Sequence, residues 1–132
     1  MTRKHYPAWL RRRRHGSADL DTIESLAGAL CARDEDAIRV LLHPEVTVVI
    51  DSGGHVHTAP MPVTGSEAAA AELRALMTPG TFVATASING VPGLTLVREG
   101  RVVAALTAAM RSRVLSNFWI VCNPDKLRHW NR

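Results

Sequence analysis

A chain of 132 residues with 46% apolar and 21% charged side chains has the length and balance of one globular domain. Its apolar runs fall short of the roughly 20 residues that cross a bilayer, which excludes a helical membrane protein. The net charge of +4 does not describe a uniformly basic surface: residues 1–18 carry six Lys or Arg and no acid, +6, while the remaining ten basic and twelve acidic residues sum to −2.

Residues 1–18 read as a basic arm or linker remnant, and residues 19–132 as the folded domain. Arg11–Arg14 are followed by polar His15-Gly16-Ser17-Ala18-Asp19, which argues against an export signal. From Asp19 a helical pattern starts, with Asp21 and Glu24 spaced as a cap and its partner and Ile23, Leu26, Ala27, Leu30 and Cys31 as its apolar stripe. Arg33-Asp34-Glu35-Asp36 breaks that stripe and starts a short second helix, which His43-Pro44 ends. The β-branched run Val46–Ile50 predicts a strand, Asp51-Ser52-Gly53-Gly54 a turn, and His55–Ala59 a returning partner strand. Thr64 and Glu67 repeat the capping-box spacing before an Ala-rich third helix that reaches Met77. Four strands follow, Thr81–Ile88, Val91–Val97, Arg101–Met110 and Val114–Cys122, and Asp125–Trp130 forms a last helical turn. Cys31 and Cys122 lie in apolar patterns and are expected to be reduced, buried thiols of a cytoplasmic protein.

This order predicts an α+β fold, a curved antiparallel sheet wrapped on three helices from the N-terminal half, cone-shaped with a mouth that can take a ligand. An apolar cavity is expected between the first helix, the third helix and the last strands. The apolar late strands predict an outer sheet face that needs covering, by a homodimer for example.

Two local motifs narrow the fold. Asn123-Pro124-Asp125-Lys126-Leu127 matches an Asn-Pro-Asp-Lys-Leu signature of SnoaL-like tails on a group of extracytoplasmic-function sigma factors. Asp51-Ser52-Gly53-Gly54-His55-Val56 resembles that group's Asp-Gly-Gly-Gly-Lys-Val motif, with Ser52 for a glycine and His55 for the lysine, and Asn89-Gly90-Val91-Pro92-Gly93 is similar to a third stretch of the pattern. Over residues 17–130 the chain therefore resembles the SnoaL-like branch of the nuclear transport factor 2-like fold. The resemblance implies a regulatory module whose partner is a sigma factor or another RNA polymerase component, or which binds a small apolar ligand. Sigma domains are absent from these residues.

The chemistry of the side chains points the same way. Residues 101–110 and 114–122 hold no acid or histidine, and Thr107, Ser116 and Asn117 are not competent general bases near neutral pH. No catalytic residue, metal site or cofactor is therefore expected. A small-molecule lyase, isomerase or hydrolase is the alternative, and it would draw its base from His43, Asp51, His55 or His57. His55 and His57 share a strand face and with Asp51 have metal-ligand chemistry, but surface histidines are commoner. The expected ligand- or partner-binding residues are Asp51, Gly53, Gly54, His55, Asn117, Trp119, Asn123, Pro124, Asp125, Lys126 and Leu127. Asp51 is equally a good turn residue, and Asn123-Pro124-Asp125 a plain strand end. Phe118 and Trp119 point to opposite sheet faces, one into the core and one outward. Direct nucleic-acid binding is expected only through the basic arm.

Overall fold

Asp19 starts the first helix because it sits in extended backbone, with its carboxylate aimed at the free N–H groups of the first turn; it accepts the Thr22 N–H at 2.8 Å. That backbone bond, with help from the Thr22 hydroxyl, holds the Asp19 carboxyl below the usual range. The cap is thus Asp19 and not Asp21, which already lies inside helix α1, Leu20–Ala32. The computed structural model describes residues 16–52 and 62–131. Most of the basic arm, the expected strand His55–Ala59, and Gly53, Gly54, His55 and His57 lie outside the described residues.

Helix α1 buries Ile23, Leu26, Ala29 and Leu30. Cys31 is exposed, which corrects the expectation of a buried thiol: it lies about 100° around the helix from Leu30, past the edge of the buried stripe. Arg33 ends α1 in the left-handed region, at φ 53°. Its side chain donates to the carbonyls of Met77 and Thr78 at 3.0 and 3.3 Å, and Arg74 Nε donates back to the Arg33 carbonyl at 3.0 Å. The Arg74 bond satisfies the carbonyl at the C-cap of α1, and the Arg33 bonds tie that end to the segment at Met77 and Thr78. Asp34 caps the short helix α2, Glu35–Arg39, by accepting the Ala37 N–H at 3.1 Å.

Strand β1 spans Leu42–Asp51 and so includes His43-Pro44, which were expected to close the helix before it. The pairing register shifts between Leu42 and Thr47, and a proline without an N–H is tolerated at such an irregular start. Strand β2, Val63–Thr64, pairs antiparallel with Val48 and Thr47. Thr64 is therefore in a strand and does not cap the third helix. Gly65, at φ 92°, takes the cap position of helix α3, Ser66–Ala75, without a side-chain bond.

The remaining strands are β3 Thr81–Ile88, β4 Val91–Arg98, β5 Arg101–Arg111 and β6 Val114–Val121. Three two-residue turns join them, each with positive φ at both positions: Asn89-Gly90, Glu99-Gly100 and Ser112-Arg113. This is the backbone that right-twisted hairpins need, and only Ser112-Arg113 adopts it without a glycine. Gly93 is required for another reason. A Cβ there would meet the Leu106 carbonyl oxygen at 2.7 Å and Ile88 Cδ1 at 2.8 Å.

The six strands form one sheet in the order β2-β1-β6-β5-β4-β3. The expected α+β layout is observed, with one difference in the sheet: it is mixed, because β6 runs parallel to β1. The chain leaves β1, passes through α3 and three antiparallel strands, and returns beside β1 in its original direction. Register shifts at Leu96/Val97 and Ala109/Met110 mark bulges, which bend a sheet. The helices pack on the concave side, α1 against β3 and β4, and α3 against β1.

Phe118, Ile120, Leu106, Leu94, Leu96 and Val46 are fully buried on that inner side with Ile23, Leu26, Leu30 and Leu73 from the helices. Each such side chain stabilises the fold by about 1.5–3 kcal/mol relative to exposure. Trp119 takes the opposite face, registered between Val49 and Thr107. Val49 and Phe82 are large apolar side chains left exposed. A 3-10 turn, Arg128–Trp130, closes the described chain.

Candidate functional site

Asp51 is the last residue of β1, and Val121 the last of β6 beside it. The Cys122 N–H donates to the Asp51 carbonyl at 2.7 Å, so the two strands end level with each other. Asn123 then turns the chain. Its side-chain oxygen accepts the Asp125 N–H at 3.0 Å, and its carbonyl accepts the N–H groups of Lys126 and Leu127 at 3.0 and 3.1 Å. Pro124 cannot extend the strand ladder, which favours this turn. The capping oxygen is thus supplied by Asn123, while Asp125 is directed outward to Arg128 at 3.0 Å.

The turn carries Lys126 back over the end of β1. Its Nζ lies 2.6 Å from Asp51 Oδ2, so a residue from each of the two sequence motifs meets in one ion pair. The Lys126 side chain is 62% exposed and Asp51 36%. Leu127, the next residue, is 3% exposed and anchors the segment in the protein. Asn131 adds a second anchor that sequence reasoning missed. Its side-chain amide accepts the Val102 N–H at 2.7 Å and donates to the Val102 carbonyl at 2.9 Å, as a strand backbone would. A lone Asn near a chain end carries no signal for this, because the partner is 29 residues away. The result is an exposed corner of alternating charge, Asp51, Lys126, Asp125 and Arg128, on a backbone held at both ends.

Because both members of the Asp51–Lys126 pair are substantially exposed, solvent screening limits their coupling. A double-mutant cycle of Asp51→Asn and Lys126→Met should read about 0.2–1 kcal/mol of coupling in urea unfolding, shrinking as salt rises. A coupling above that range would mark the pair as structural.

The other expected site residues are placed elsewhere. Asn117 and Trp119 lie on the outer sheet face, half-buried, with Asn117 Oδ1 accepting from the Ser116 hydroxyl at 3.0 Å. His43 sits at the far end of β1 from Asp51, where its Nδ1 accepts the Glu45 N–H at 2.9 Å. The structure therefore brings Asp51 together with the Asn123–Leu127 segment, and neither Asn117, Trp119 nor His43 joins them.

Cys122, beside Asp51, is half-buried and its thiol is pushed up, first by burial and then by the Asp51 charge, with Arg98 opposing. It stays protonated near neutral pH, which makes it a poor nucleophile. Among the described residues no three His, Cys, Asp or Glu side chains converge as a metal set. No helix among them is long and apolar enough to cross a membrane. A depression of about 440 Å³ is lined by Leu20, Thr85–Ser87 and Gly90–Pro92. Its walls are the start of α1 and the β3–β4 hairpin, and no titratable side chain lines it.

No protein-family model matches the chain. It is 33% identical over 118 residues to the ECF RNA polymerase sigma factor SigJ of Mycobacterium tuberculosis, a match covering 80% of this chain and 38% of that relative. The crystal structure of the same sigma factor superposes with a TM-score of 0.65 at 25% identity, covering 92% of this chain and 48% of that one. The chain thus spans less than half the length of that relative. A SnoaL-like protein of unknown function from Burkholderia thailandensis has a TM-score of 0.59 at 18% identity, over 76% of this chain and 89% of its own. An NTF2-like protein of unknown function from Cytophaga hutchinsonii has 0.56 at 12%, over 82% and 92%. The last two likenesses concern the fold alone.

Proposed function

We propose that this SnoaL-like domain of the nuclear transport factor 2-like fold, which is similar to part of an extracytoplasmic-function sigma factor, is a non-enzymatic module that docks on a sigma factor or another RNA polymerase component. The docking surface is the corner formed by Asp51, Asn123, Pro124, Asp125 and Lys126. The observation that carries this reading is the 2.6 Å pair between Asp51 and Lys126, which joins at an exposed place the two motifs that resemble those of sigma-factor tails. Exposed, alternating charges on a fixed backbone suit recognition, because they set register and steer encounter while contributing little to folding.

A small apolar ligand is the weaker reading, since the depression lined by Leu20, Thr85–Ser87 and Gly90–Pro92 is open and shallowly apolar while the motif residues meet elsewhere, at Asp51 and Lys126. The enzyme alternative is weakened by His43, which lies on the surface with Arg111 and Glu45 and not in an apolar cleft.

Biolayer interferometry against purified promoter-binding domains of a SigJ-like sigma factor, stripped of their own tail, tests the reading. The chain should bind, and Lys126→Glu, which sets like charges against Asp51, should weaken binding by about tenfold or more. Equal responses from the two proteins, at unchanged melting temperature, would remove the docking corner from consideration.

A further inference from the structure

Strand β3 ends the sheet on the side away from β2, and among the described residues no strand lies beyond it. An end strand is usually blunted against further pairing by a charge, a proline or a bulge. The eight residues Thr81–Ile88 include no charged side chain and no proline, and their pairing with β4 runs without a register shift. Phe82, on the outer face of this strand, is 69% exposed.

The Asn89-Gly90 turn fixes which backbone groups of β3 face the open edge. In a two-residue hairpin the flanking residues, here Ile88 and Val91, exchange both backbone bonds, and the pattern alternates from there. Ile88, Ala86, Ala84 and Phe82 therefore direct their N–H and C=O groups to β4, while those of Ser87, Thr85 and Val83 point away from it. Thr81 follows the same alternation, since its N–H donates outside the ladder, to the Thr78 carbonyl at 3.1 Å. Thr85 and Ser87 are exposed.

We propose that two copies of this chain pair antiparallel through β3, about a two-fold axis at Thr85. That register sets Thr85 against itself and Val83 against Ser87 of the second copy, and each of these pairs exchanges both of its N–H···O bonds. An axis at Val83 or Ser87 would leave one of the outward-facing residues without a partner inside the strand, so Thr85 is the centre that engages them all. On the outer face the same register places Phe82 opposite Ile88 of the second copy, an aromatic and β-branched pair that covers the exposed ring. On the inner face Val83 of the second copy falls opposite Ser87, at the depression that the half-exposed Leu20 also lines. Thr81 meets Asn89, so no like charges oppose each other along the seam. Backbone bonds supply the affinity and the Phe82–Ile88 contacts the register. The proposal does not depend on the docking corner, which lies beyond β4 and β5 on β1 and past β6.

Sedimentation velocity of the full chain at about 1 to 100 µM tests it. The chain should sediment as a monomer–dimer equilibrium. Thr85→Pro should raise the dissociation constant about tenfold or more, because the ring removes an outward N–H while the β4 ladder keeps its bonds. Its melting temperature at the dilute end of the range should stay close to that of the parent. Disulfide trapping reads the register, in a Cys31→Ser background that removes the exposed native thiol. Thr85→Cys should cross-link under a mild oxidant, since residues facing each other across the axis have Cα atoms about 5.5 Å apart. Ser87→Cys, displaced about 13 Å along the strands from its counterpart, should not. A monomer at every concentration would overturn the proposal and leave the edge to an extended segment of another protein. A dimer that Thr85→Pro leaves intact would overturn it in favour of the outer sheet face around Trp119, as would cross-linking through Ser87→Cys in preference to Thr85→Cys.

Discussion

Truncating Phe118 to alanine is expected to destabilise the protein by about 3–5 kcal/mol, lowering its melting temperature by about 10–20 °C. Phe118 is fully buried on the inner face of β6, registered between Val48 of β1 and Ala108 of β5, at the centre of the core the helices cover. Its neighbours are the backbones of three paired strands, which cannot collapse into the space without breaking ladder bonds, so most of the cavity persists. Urea unfolding followed by circular dichroism measures the loss. A value below about 1 kcal/mol would mean that the sheet does not close on the helices around this ring.

Leu127→Ala is expected to cost about 2–4 kcal/mol, against about 0.5 kcal/mol or less for Lys126→Ala. The two residues are adjacent in one motif, but Leu127 is 3% exposed while the Lys126 side chain is 62% exposed. Leu127 also receives the turn, since its N–H donates to the Asn123 and Pro124 carbonyls at 3.1 and 3.2 Å. The docking proposal assigns the structural share of the motif to Asn123 and Leu127, and the recognition share to Asp125 and Lys126. Thermal melts of the two single variants, set beside the sigma-domain binding assay, check that division. Similar losses of stability from both would end it, because Lys126 would then be part of the fold.

Much of the architecture was legible because it is written in local patterns. The four late strands were placed within about a residue of their observed ends, since Asn89-Gly90 and Glu99-Gly100 punctuate alternating apolar runs. Helix starts were harder. Both capping-box spacings misplace the cap, at Asp21 and Thr64, because the spacing recurs by chance and only the backbone conformation of Asp19 and Gly65 decides which residue stands outside the helix. His43-Pro44 resembles a helix stop but opens a strand, since a bulge there accommodates the proline.

The sequence by itself determined the α+β class, the helix-then-sheet order, the opposite faces of Phe118 and Trp119, and the two motifs that point to sigma-factor tails. These follow from periodicity and turn chemistry, which act over a few residues. Only the tertiary structure decided that β6 returns parallel to β1, because strand partners are chosen by long-range packing and not by either strand's own residues. That one pairing sets Asp51 beside Val121, and so lets Lys126, 75 residues along the chain, close its ion pair. It likewise separates His43 from Asp51 by the length of a strand. The entropy of closing a loop of 75 residues is met by the pairing of β1 with β6 and not by the exposed ion pair, so the candidate site exists only once that shared strand end has formed.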